Sequence, residues 1–395
     1  MAIASDTSGT PARGQRIDWA KWREQFPVLE RRTYLNSCSY GALPLAGARA
    51  FEDYVAHRID VGADWDAWVA SNEALRAAVA GLLQADADEV AITATASAGF
   101  NALASALSFK GERRKVIVTD LDFPTNGQIW YAQALRGAEI VRLPATNGTV
   151  RMDEFEKAID DRTLLVTTSH VNYLTGARLD LPQLVKLAHS HGAYVCIDEF
   201  QALGTLRQTA CTAGADFVVG GMYKYLLGTA GVAYLYVRRE LQAALVPTQT
   251  GWFAQEDIMA MDVTAYRPAA NARRFEAGTP PVVAGYVARA GLDVIQGAGL
   301  AAIELRVREL TAEVKDEARR CGYRMLTPSD AADHGAMIAV ASHDPSKLVA
   351  ALASENVTVT SRGGAIRIAM HAYNNSVDIE KAFKALHKHQ SLIVR

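Results

Sequence analysis

Lys224 follows a predicted buried strand, and the sequence allows it to be either a buried, reactive amine or a solvated side chain. Lys224 comes after the apolar run 216–219 and two glycines, and it lies between Tyr223 and Tyr225. A lysine among apolar strands is costly unless its charge is paired or removed, and condensation with an aldehyde removes it. The alternative is a solvated side chain, as for most lysines. The sequence therefore allows a reactive amine at this position.

An acidic residue ends a second apolar run. Asp198 closes the segment 194–198, and Gln201 follows three positions later. Ligands of open α/β sheets bind beyond the carboxyl ends of the strands, so an aspartate there can hold a metal, a ribose or a protonated ring nitrogen. It can equally cap the next helix, and the segment alone does not separate these roles.

Three further segments each allow a ligand-binding and a structural interpretation. Ser97 lies at a predicted helix start, where free N–H groups hold phosphates but where serine also serves as a cap. Phe123, held by Pro124, can stack on an aromatic ring or pack in the core. Arg367 lies on an apolar strand and can bind a substrate carboxylate or an internal acidic partner.

The elements that position these residues alternate between strands and helices. Segments 66–83 and 181–189 have apolar residues at helical spacing, between runs rich in Val, Ile, Tyr and Thr. This alternation predicts an α/β fold with a large, mostly parallel, seven-stranded sheet covered on both faces. The predicted strands are 90–94, 115–119, 138–142, 164–168, 194–198, 216–219 and 232–237.

The pattern changes after about residue 285 to that of a smaller α+β domain. Residues 240–283 are rich in Pro, Gly and Thr and predict an irregular connection. The C-terminal part is predicted to contain a helix over 301–320 and strands near 323–326, 336–341, 357–360 and 365–369. The predicted domains are a large domain over 16–284, whose segment 16–60 packs near the small domain, and a small C-terminal domain over 285–395.

Composition excludes several classes of protein. The 41 Lys and Arg residues nearly balance the 43 Asp and Glu residues, so no nucleic-acid partner is expected. No run of eighteen apolar residues occurs, and we expect no membrane span. The four cysteines have no paired spacing, which predicts neither disulfides nor a metal site. Residues 1–15 are small and polar, so we expect a disordered start, no cleaved signal and a cytoplasmic location.

Taken in order, these segments resemble the aminotransferase class V family of fold type I, which includes kynureninases, cysteine desulfurases and isopenicillin N epimerase-like enzymes. The resemblance extends from YLNSCSYGALP at 34–44 to RIAMHAYNN at 367–375. Its most specific parts are Asp198-x-x-Gln201, the aromatic-flanked lysine 26 residues after the aspartate, and FEAGTPP at 275–281. The resemblance implies the fold type I transferase fold and pyridoxal 5'-phosphate (PLP) as the cofactor.

The resemblance implies a role at the cofactor for each matching residue. Lys224 would bind the PLP aldehyde and later move the substrate Cα proton, while Asp198 would keep the ring nitrogen protonated. Thr279 would reach the phosphate from a partner subunit, which implies a homodimer. The other implied cofactor residues are Ala96, Ser97 and Tyr223 at the phosphate, Gln201 at the ring oxygen, and Phe123 stacked on the ring.

Implied substrate residues complete this site. Arg367 matches the arginine that binds the substrate α-carboxylate, and Tyr173 would lie near the ring oxygen and the substrate. Trp252 either lines the substrate pocket or packs beneath the connecting segment. Cys38 lies in a segment that approaches the cofactor in relatives, or it is a small buried filler.

The reaction is less determined than the cofactor. The stretch 357–367 has no cysteine, which disfavours desulfurization through a persulfide. FPTN at 123–126 resembles kynureninases, although Asn126 stands where they have Asp, which disfavours kynurenine hydrolysis. Our leading hypothesis is a lyase that joins a small amino acid to PLP as an imine, abstracts the α-proton, and eliminates a β-substituent or cleaves Cβ–Cγ. An aminotransferase, an amino-acid epimerase and a catalytically silent PLP-binding module are the alternatives.

Overall fold

The computed structural model describes residues 17–395 of the chain. The predicted disordered segment over 1–15 lies outside these residues. The strands are β1 (Thr33–Tyr34), β2 (Val90–Thr93), β3 (Lys115–Thr119), β4 (Glu139–Leu143), β5 (Thr163–Ser169), β6 (Tyr194–Asp198), β7 (Phe217–Gly221), β8 (Ala233–Val237), β9 (Met337–Ala341), β10 (Val357–Thr358), β11 (Thr360–Arg362) and β12 (Ala365–Ala369).

Helices connect and cover these strands. They are α1 (Trp19–Arg23), α2 (Val28–Arg31), α3 (Leu45–Asp60), α4 (Trp65–Leu83), α5 (Ala96–Ala106), α6 (Pro124–Ala132), α7 (Met152–Ala158), α8 (Leu181–Ser190), α9 (Arg239–Gln242), α10 (Val282–Ala298), α11 (Leu300–Arg320), α12 (Pro345–Ser354) and α13 (Ser376–Lys388). Over residues 17–395, no helix combines the length and the hydrophobicity that crossing a membrane requires.

The large sheet has seven strands in the order β2-β8-β7-β6-β5-β3-β4. Strand β8 runs antiparallel to β2 and β7, and the remaining neighbours pair in parallel. The predicted mostly parallel sheet is confirmed, and the strand bounds differ from the prediction by at most two residues. Because β2, β3, β5, β6 and β7 run in the same direction, their carboxyl ends meet at one edge of the sheet.

Helices pack on the sheet because their apolar residues recur on one face. In α8 the buried residues are Leu181, Leu184, Val185 and Ala188, which follow the three- and four-residue spacing of one helix face. Strands β3 and β6 are buried along nearly their whole length and have apolar residues at their centres, as strands covered on both faces do. This covering makes the sheet a rigid base for the residues at its carboxyl edge.

The C-terminal part has its own antiparallel sheet, in the order β11-β12-β9. Its core includes Leu310, Val340, Ile366 and Phe383, which pack separately from the core of the large sheet. The predicted strand over 323–326 is wrong: a single bridge joins Met325 to Val340. The ladder ends there because the Thr327 hydroxyl accepts the Ala339 N–H at 2.8 Å.

The N-terminal segment contacts this C-terminal part. Strand β1 pairs in parallel with β10, and Arg23 forms an ion pair of 2.6 Å with the buried Asp378. Helix α10, which begins at Val282, packs instead on α3 and α4 and contributes to the core of the large sheet. The domain division between 284 and 285 stays a prediction.

A buried ion pair ties the irregular connection to the large sheet. Arg76 of α4 donates to Glu276 at 2.6 Å, and both side chains are almost completely buried. The same carboxylate accepts the Ile92 N–H of β2 at 2.8 Å. Glu276 therefore fixes the segment that precedes Thr279.

We expect Glu276→Ala to lower the free energy of unfolding by about 3 kcal/mol, because it leaves the buried Arg76 charge without its main partner. Urea unfolding followed by circular dichroism measures this loss. Glu355→Ala is the matched control, since its ion pair with Lys388 is exposed, and a much smaller loss is expected there. Equal losses for the two variants would contradict this account.

Candidate active site

A cavity of about 570 Å³ lies at the carboxyl edge of the large sheet, where open α/β sheets bind ligands. Residues that follow β2, β3, β5, β6 and β7 line it. The cavity brings together eight of the residues that the sequence singled out: Ala96, Ser97, Phe123, Tyr173, Asp198, Gln201, Tyr223 and Lys224. Residues as far apart in the sequence as Ala96 and Lys224 thus line one cavity, because the strands that they follow end at one edge of the sheet.

The Lys224 amine is buried in this cavity. Its Nζ atom lies 4.2 Å from the centre of the Phe200 ring and 5.7 Å from that of Phe123. Burial lowers the pKa of Lys224 to about 8, although the Asp198 carboxylate opposes this shift. A larger fraction of the amine is therefore neutral and nucleophilic near neutral pH than for an exposed lysine.

Asp198 ends β6 inside the same cavity. Its Oδ1 atom accepts the Phe200 N–H at 2.8 Å, and no residue of 17–395 donates to its Oδ2 atom. Burial raises the pKa of Asp198, while the Phe200 N–H and the Lys224 charge act in the opposite direction. A positively charged N–H group of a ligand would provide the hydrogen-bond donor that Oδ2 lacks.

Gln201 and Cys38 are in contact with each other at one side of the cavity. The Gln201 side chain lines the cavity and donates to the Cys38 carbonyl at 2.8 Å. Cys38 itself is buried outside the cavity lining, and burial raises the pKa of its thiol. A substrate-binding role for Cys38 stays a prediction, and this packing matches the alternative of a buried filler.

The start of α5 has free donors that face the cavity. Thr95 caps the helix, because its hydroxyl accepts the Ala98 N–H at 3.0 Å. Ser97 is therefore not the cap, and the N–H groups of Ala96 and Ser97 belong to the first turn, which has no intrahelical acceptors. Such N–H groups, together with the helix dipole, bind phosphate groups.

Two phenylalanine rings flank the lysine. Phe123 is partly exposed in the cavity and meets Tyr173 edge-on at 5.2 Å. Phe200 meets Tyr223 edge-on at 5.0 Å, and a Cβ atom at position 221 would overlap its ring, so Gly221 must be glycine. Phe200 was not predicted from the sequence, because it is one of the two variable residues of Asp-x-x-Gln and only the folded turn shows that its ring lies beside Lys224.

Asp122 is a second residue that the sequence analysis missed. Its carboxylate accepts the N–H of Thr119 at 2.8 Å and that of Ser169 at 2.9 Å, which joins the ends of β3 and β5. Burial raises its pKa to about 7. The signal available in the sequence was its place three residues after the end of β3 and directly before Phe123.

Arg367 lies on β12 beside the cavity without lining it. It is buried, and its Nη1 atom donates to the Tyr173 carbonyl at 2.7 Å. Its Nε atom has no partner, and no carboxylate of residues 17–395 lies within 4.0 Å of its guanidinium. Arg367 therefore has no internal acidic partner among the described residues.

Thr279 and Trp252 lie outside this cavity. Thr279 is exposed on the surface of the chain. Trp252 packs edge-on against Phe253 at 4.5 Å and against Trp65 at 5.7 Å, and it borders a separate groove. This contact agrees with the packing alternative for Trp252, while the roles of both residues stay predictions.

No group of three or more His, Cys, Asp or Glu side chains within the described part of the chain has the arrangement of a metal site. The groups at the cavity are instead an amine, one carboxylate, aromatic rings and free N–H donors. This set fits a flat heterocycle that carries an aldehyde and a phosphate.

The model of the family described as aminotransferase class-V matches residues 56–382. The chain belongs to this family. The aminotransferase class V enzymes use PLP, so PLP is the cofactor of this chain, as the sequence resemblance implied. The cavity fits it: Lys224 offers an amine to the aldehyde, Asp198 a free carboxylate oxygen to the ring nitrogen, and the start of α5 offers donors to the phosphate.

Similar proteins agree with this assignment. The uncharacterized aminotransferase YcbU of Bacillus subtilis (strain 168) is 32% identical over 93% of this chain and 98% of its own length. The kynureninase of Pseudomonas fluorescens is 30% identical over 86% of this chain and 84% of its own. The apo cysteine desulfurase of Thermococcus onnurineus NA1 has a TM-score of 0.86, at 22% identity, over 96% of this chain and 100% of its own. The expected fold type I architecture is confirmed.

We expect the rate of PLP uptake by the apo protein to rise as the pH increases through about 8, because only the neutral Lys224 amine attacks an aldehyde. The growth of visible absorbance after mixing measures this rate. Lys224→Ala should remove the absorbance, whereas Lys157→Ala, which removes an exposed lysine, should leave it unchanged. A rate that continues to rise above about pH 9, as for an ordinary lysine, would be inconsistent with the lowered pKa.

Proposed function

We propose that the protein is a PLP-dependent lyase that takes up a small amino acid, removes its α-proton, and then expels a β-substituent or cleaves the Cβ–Cγ bond. The proposal rests above all on the buried Lys224 amine, which shares its cavity with the Asp198 carboxylate. Members of the family are enzymes that act on amino acids. A catalytically silent binding module would have no need to keep this costly buried amine.

Bound PLP supplies an aldehyde for the substrate amine and an electron-withdrawing ring that acidifies the substrate α-carbon. Asp198 would hold a proton on the ring nitrogen, which strengthens that withdrawal. Lys224 would take the α-proton as a general base, and its pKa of about 8 suits this task near neutral pH. Phe123 and Phe200 would hold the ring plane between them.

The substrate side of the site suits an α-carboxylate. The Arg367 guanidinium is buried beside the cavity and lacks an acidic partner among the described residues. Its fork would bind the carboxylate, and its hydrogen bond to the Tyr173 carbonyl would fix its orientation. The cavity of about 570 Å³ must hold PLP as well, so the remaining space favours a small amino acid.

Two observations favour a lyase over a persulfide-forming desulfurase or a strict kynureninase. No cysteine occurs in 357–367, and the buried Cys38 thiol has a raised pKa, so neither supplies a sulfur acceptor. Asn126 is completely buried, and its Oδ1 atom accepts from Trp130 at 2.8 Å and from Thr167 at 2.9 Å. These two hydrogen bonds favour a structural role for Asn126 over a role in hydrolysis.

An aminotransferase is the second candidate, because YcbU bears that name and is 32% identical. An epimerase uses the same proton removal and differs in the face on which Lys224 returns the proton. Product analysis separates these outcomes, since only the lyase removes part of the substrate side chain, only the aminotransferase converts the cofactor to its amine form, and only the epimerase inverts the α-carbon.

We expect the PLP-loaded protein, incubated with a panel that includes cysteine derivatives, β-substituted alanines and kynurenine, to release pyruvate or alanine from at least one of them. Chromatography with mass spectrometry identifies the products. An oxo-acid with pyridoxamine phosphate would point to the aminotransferase, and inversion of the α-carbon to the epimerase. Arg367→Gln should raise the KM for the active substrate at least about tenfold, because it removes a charge-assisted bond to the carboxylate. No product from any amino acid would reject the enzyme proposal.

We also propose that the protein is a homodimer with a cytoplasmic location. Each chain would have two domains, over 16–284 and 285–395. Thr279 is exposed and lies outside the cavity of its own chain, so it can serve a phosphate site only in a second copy. Helix α3 also exposes Val55 and Ile59, four residues apart on one face, with Ile59 77% exposed. Exposed apolar residues that form one surface are typical of an interface between subunits.

We expect light scattering to give about twice the chain mass of 42.6 kDa. Ile59→Glu should shift the protein towards the monomer, because it places a charge in the buried apolar contact. Leu135→Glu is the control: Leu135 is 95% exposed at another part of the surface, and its replacement should leave the mass unchanged. A monomer for the unaltered protein at micromolar concentration would refute the dimer without affecting the lyase proposal.

A further inference from the structure

A second cavity, of about 570 Å³, is lined by polar and charged residues and shares no residue with the active-site cavity. Three arginines line it, Arg178, Arg207 and Arg308, together with one glutamate, Glu304, two glutamines and a threonine. We refer to it as the arginine pocket. Arg178 follows β5, Arg207 follows β6, and the other two charged residues lie on α11. Because Gln84 follows α4, the cavity joins four separate parts of the chain.

The arginine pocket has an excess of positive charge. Its single carboxylate, Glu304, pairs with Arg308 at 3.2 Å and accepts the backbone N–H of Arg207 at 3.0 Å. No carboxylate of residues 17–395 lies within 4.0 Å of the guanidinium of Arg178 or of Arg207. Three cations and one anion leave a formal charge of +2 in the lining.

Arg178 is the most constrained of the three arginines. It is half-buried, and burial lowers its pKa, with Arg308 acting in the same direction and Glu304 opposing it. The nearby Asp180 does not pair with it, because that side chain caps α8 and accepts the Gln183 N–H at 3.1 Å. A partly desolvated guanidinium without an anion is unfavourable, and a bound anion would offset this cost.

The orientation of Arg178 is already fixed by neutral groups. Its Nε atom donates to His170 Nε2 at 3.4 Å, and His170 Nδ1 donates to the Glu199 carboxylate at 3.1 Å. His170 and Glu199 are completely buried, so these partners define one tautomer and one ring position. Its Nη2 atom donates to Gln208, which leaves Nη1 without a partner in the described chain. Such preorganisation reduces the entropy lost when a ligand binds.

We propose that the arginine pocket binds a small oxyanion with two negative charges, of the phosphate monoester or dicarboxylate type. Guanidinium groups bind both kinds of oxyanion in a bidentate manner. The formal charge of the lining matches a dianion, and the absence of any apolar lining residue disfavours a hydrophobic ligand. The volume lies within the range of about 300 to 1,000 Å³ that small-molecule sites have.

Titration calorimetry on the PLP-loaded Arg367→Gln variant tests this site, because the cofactor then fills the phosphate site of the active-site cavity and the proposed carboxylate site is removed. The two probes are inorganic phosphate and succinate, each at constant ionic strength. We expect saturable binding of at least one probe at one site per chain. Phosphate alone would identify a phosphoryl ligand, succinate alone a dicarboxylate, and both the shared oxyanion chemistry.

Three variants assign the binding to the pocket. Arg308→Gln and Arg207→Gln should each weaken binding at least about tenfold, since each removes a charge-assisted hydrogen-bond donor. Arg207 is exposed, so its replacement leaves the fold intact. Arg319→Gln is the matched control, because Arg319 is an exposed arginine of the same helix α11 and pairs with Asp316. No saturable binding of either probe, or equal binding by all variants, would overturn the proposal.

Discussion

The structure depends on one unfavourable arrangement, a lysine amine buried where the strands of the large sheet end. The nearest acidic group that opposes its desolvation is Asp198, and burial disfavours the charged form of both groups. They meet because β6 and β7 are parallel neighbours, with Asp198 directly opposite Val219. The parallel pairing thus brings Asp198 close to the end of β7, although Lys224 lies 26 residues later in the sequence. The turn after β7 then places Lys224 in the cavity.

Close backbone contacts hold that turn in place. The Gly41 N–H donates to the Tyr223 carbonyl at 2.8 Å, and a side chain at position 41 would overlap the Lys224 carbonyl. On the opposite side, Gly221 leaves room for the Phe200 ring. The backbone of the turn that carries Lys224 is therefore held by the contact with Gly41 and by the close approach of Phe200 to Gly221. A reactive side chain in a preorganised turn loses little freedom when it reacts.

The cofactor side and the substrate side of the site come from different cores. Asp198, Lys224 and the start of α5 belong to the large sheet, whereas Arg367 lies on β12 of the small antiparallel sheet. Tyr173 joins the two, because it lines the cavity and its carbonyl accepts from Arg367. The arginine pocket also lies between the large sheet and α11. Both guanidinium sites thus occur where separate parts of the chain meet.

The sequence by itself determined the class of the fold, the large parallel sheet, the cofactor and the eight residues that meet in one cavity, because strand patterns and the Asp-x-x-Gln and lysine motifs are local. It left open whether Ser97 is a cap and whether Arg367 has an acidic partner, and only the folded chain decides these points, since Thr95 is the cap and no carboxylate reaches Arg367. It also missed Phe200, Asp122 and the arginine pocket, and predicted a strand over 323–326 where a single bridge forms at Met325. Orientation, burial and contacts between distant segments are properties of tertiary packing, which no local pattern of residues specifies.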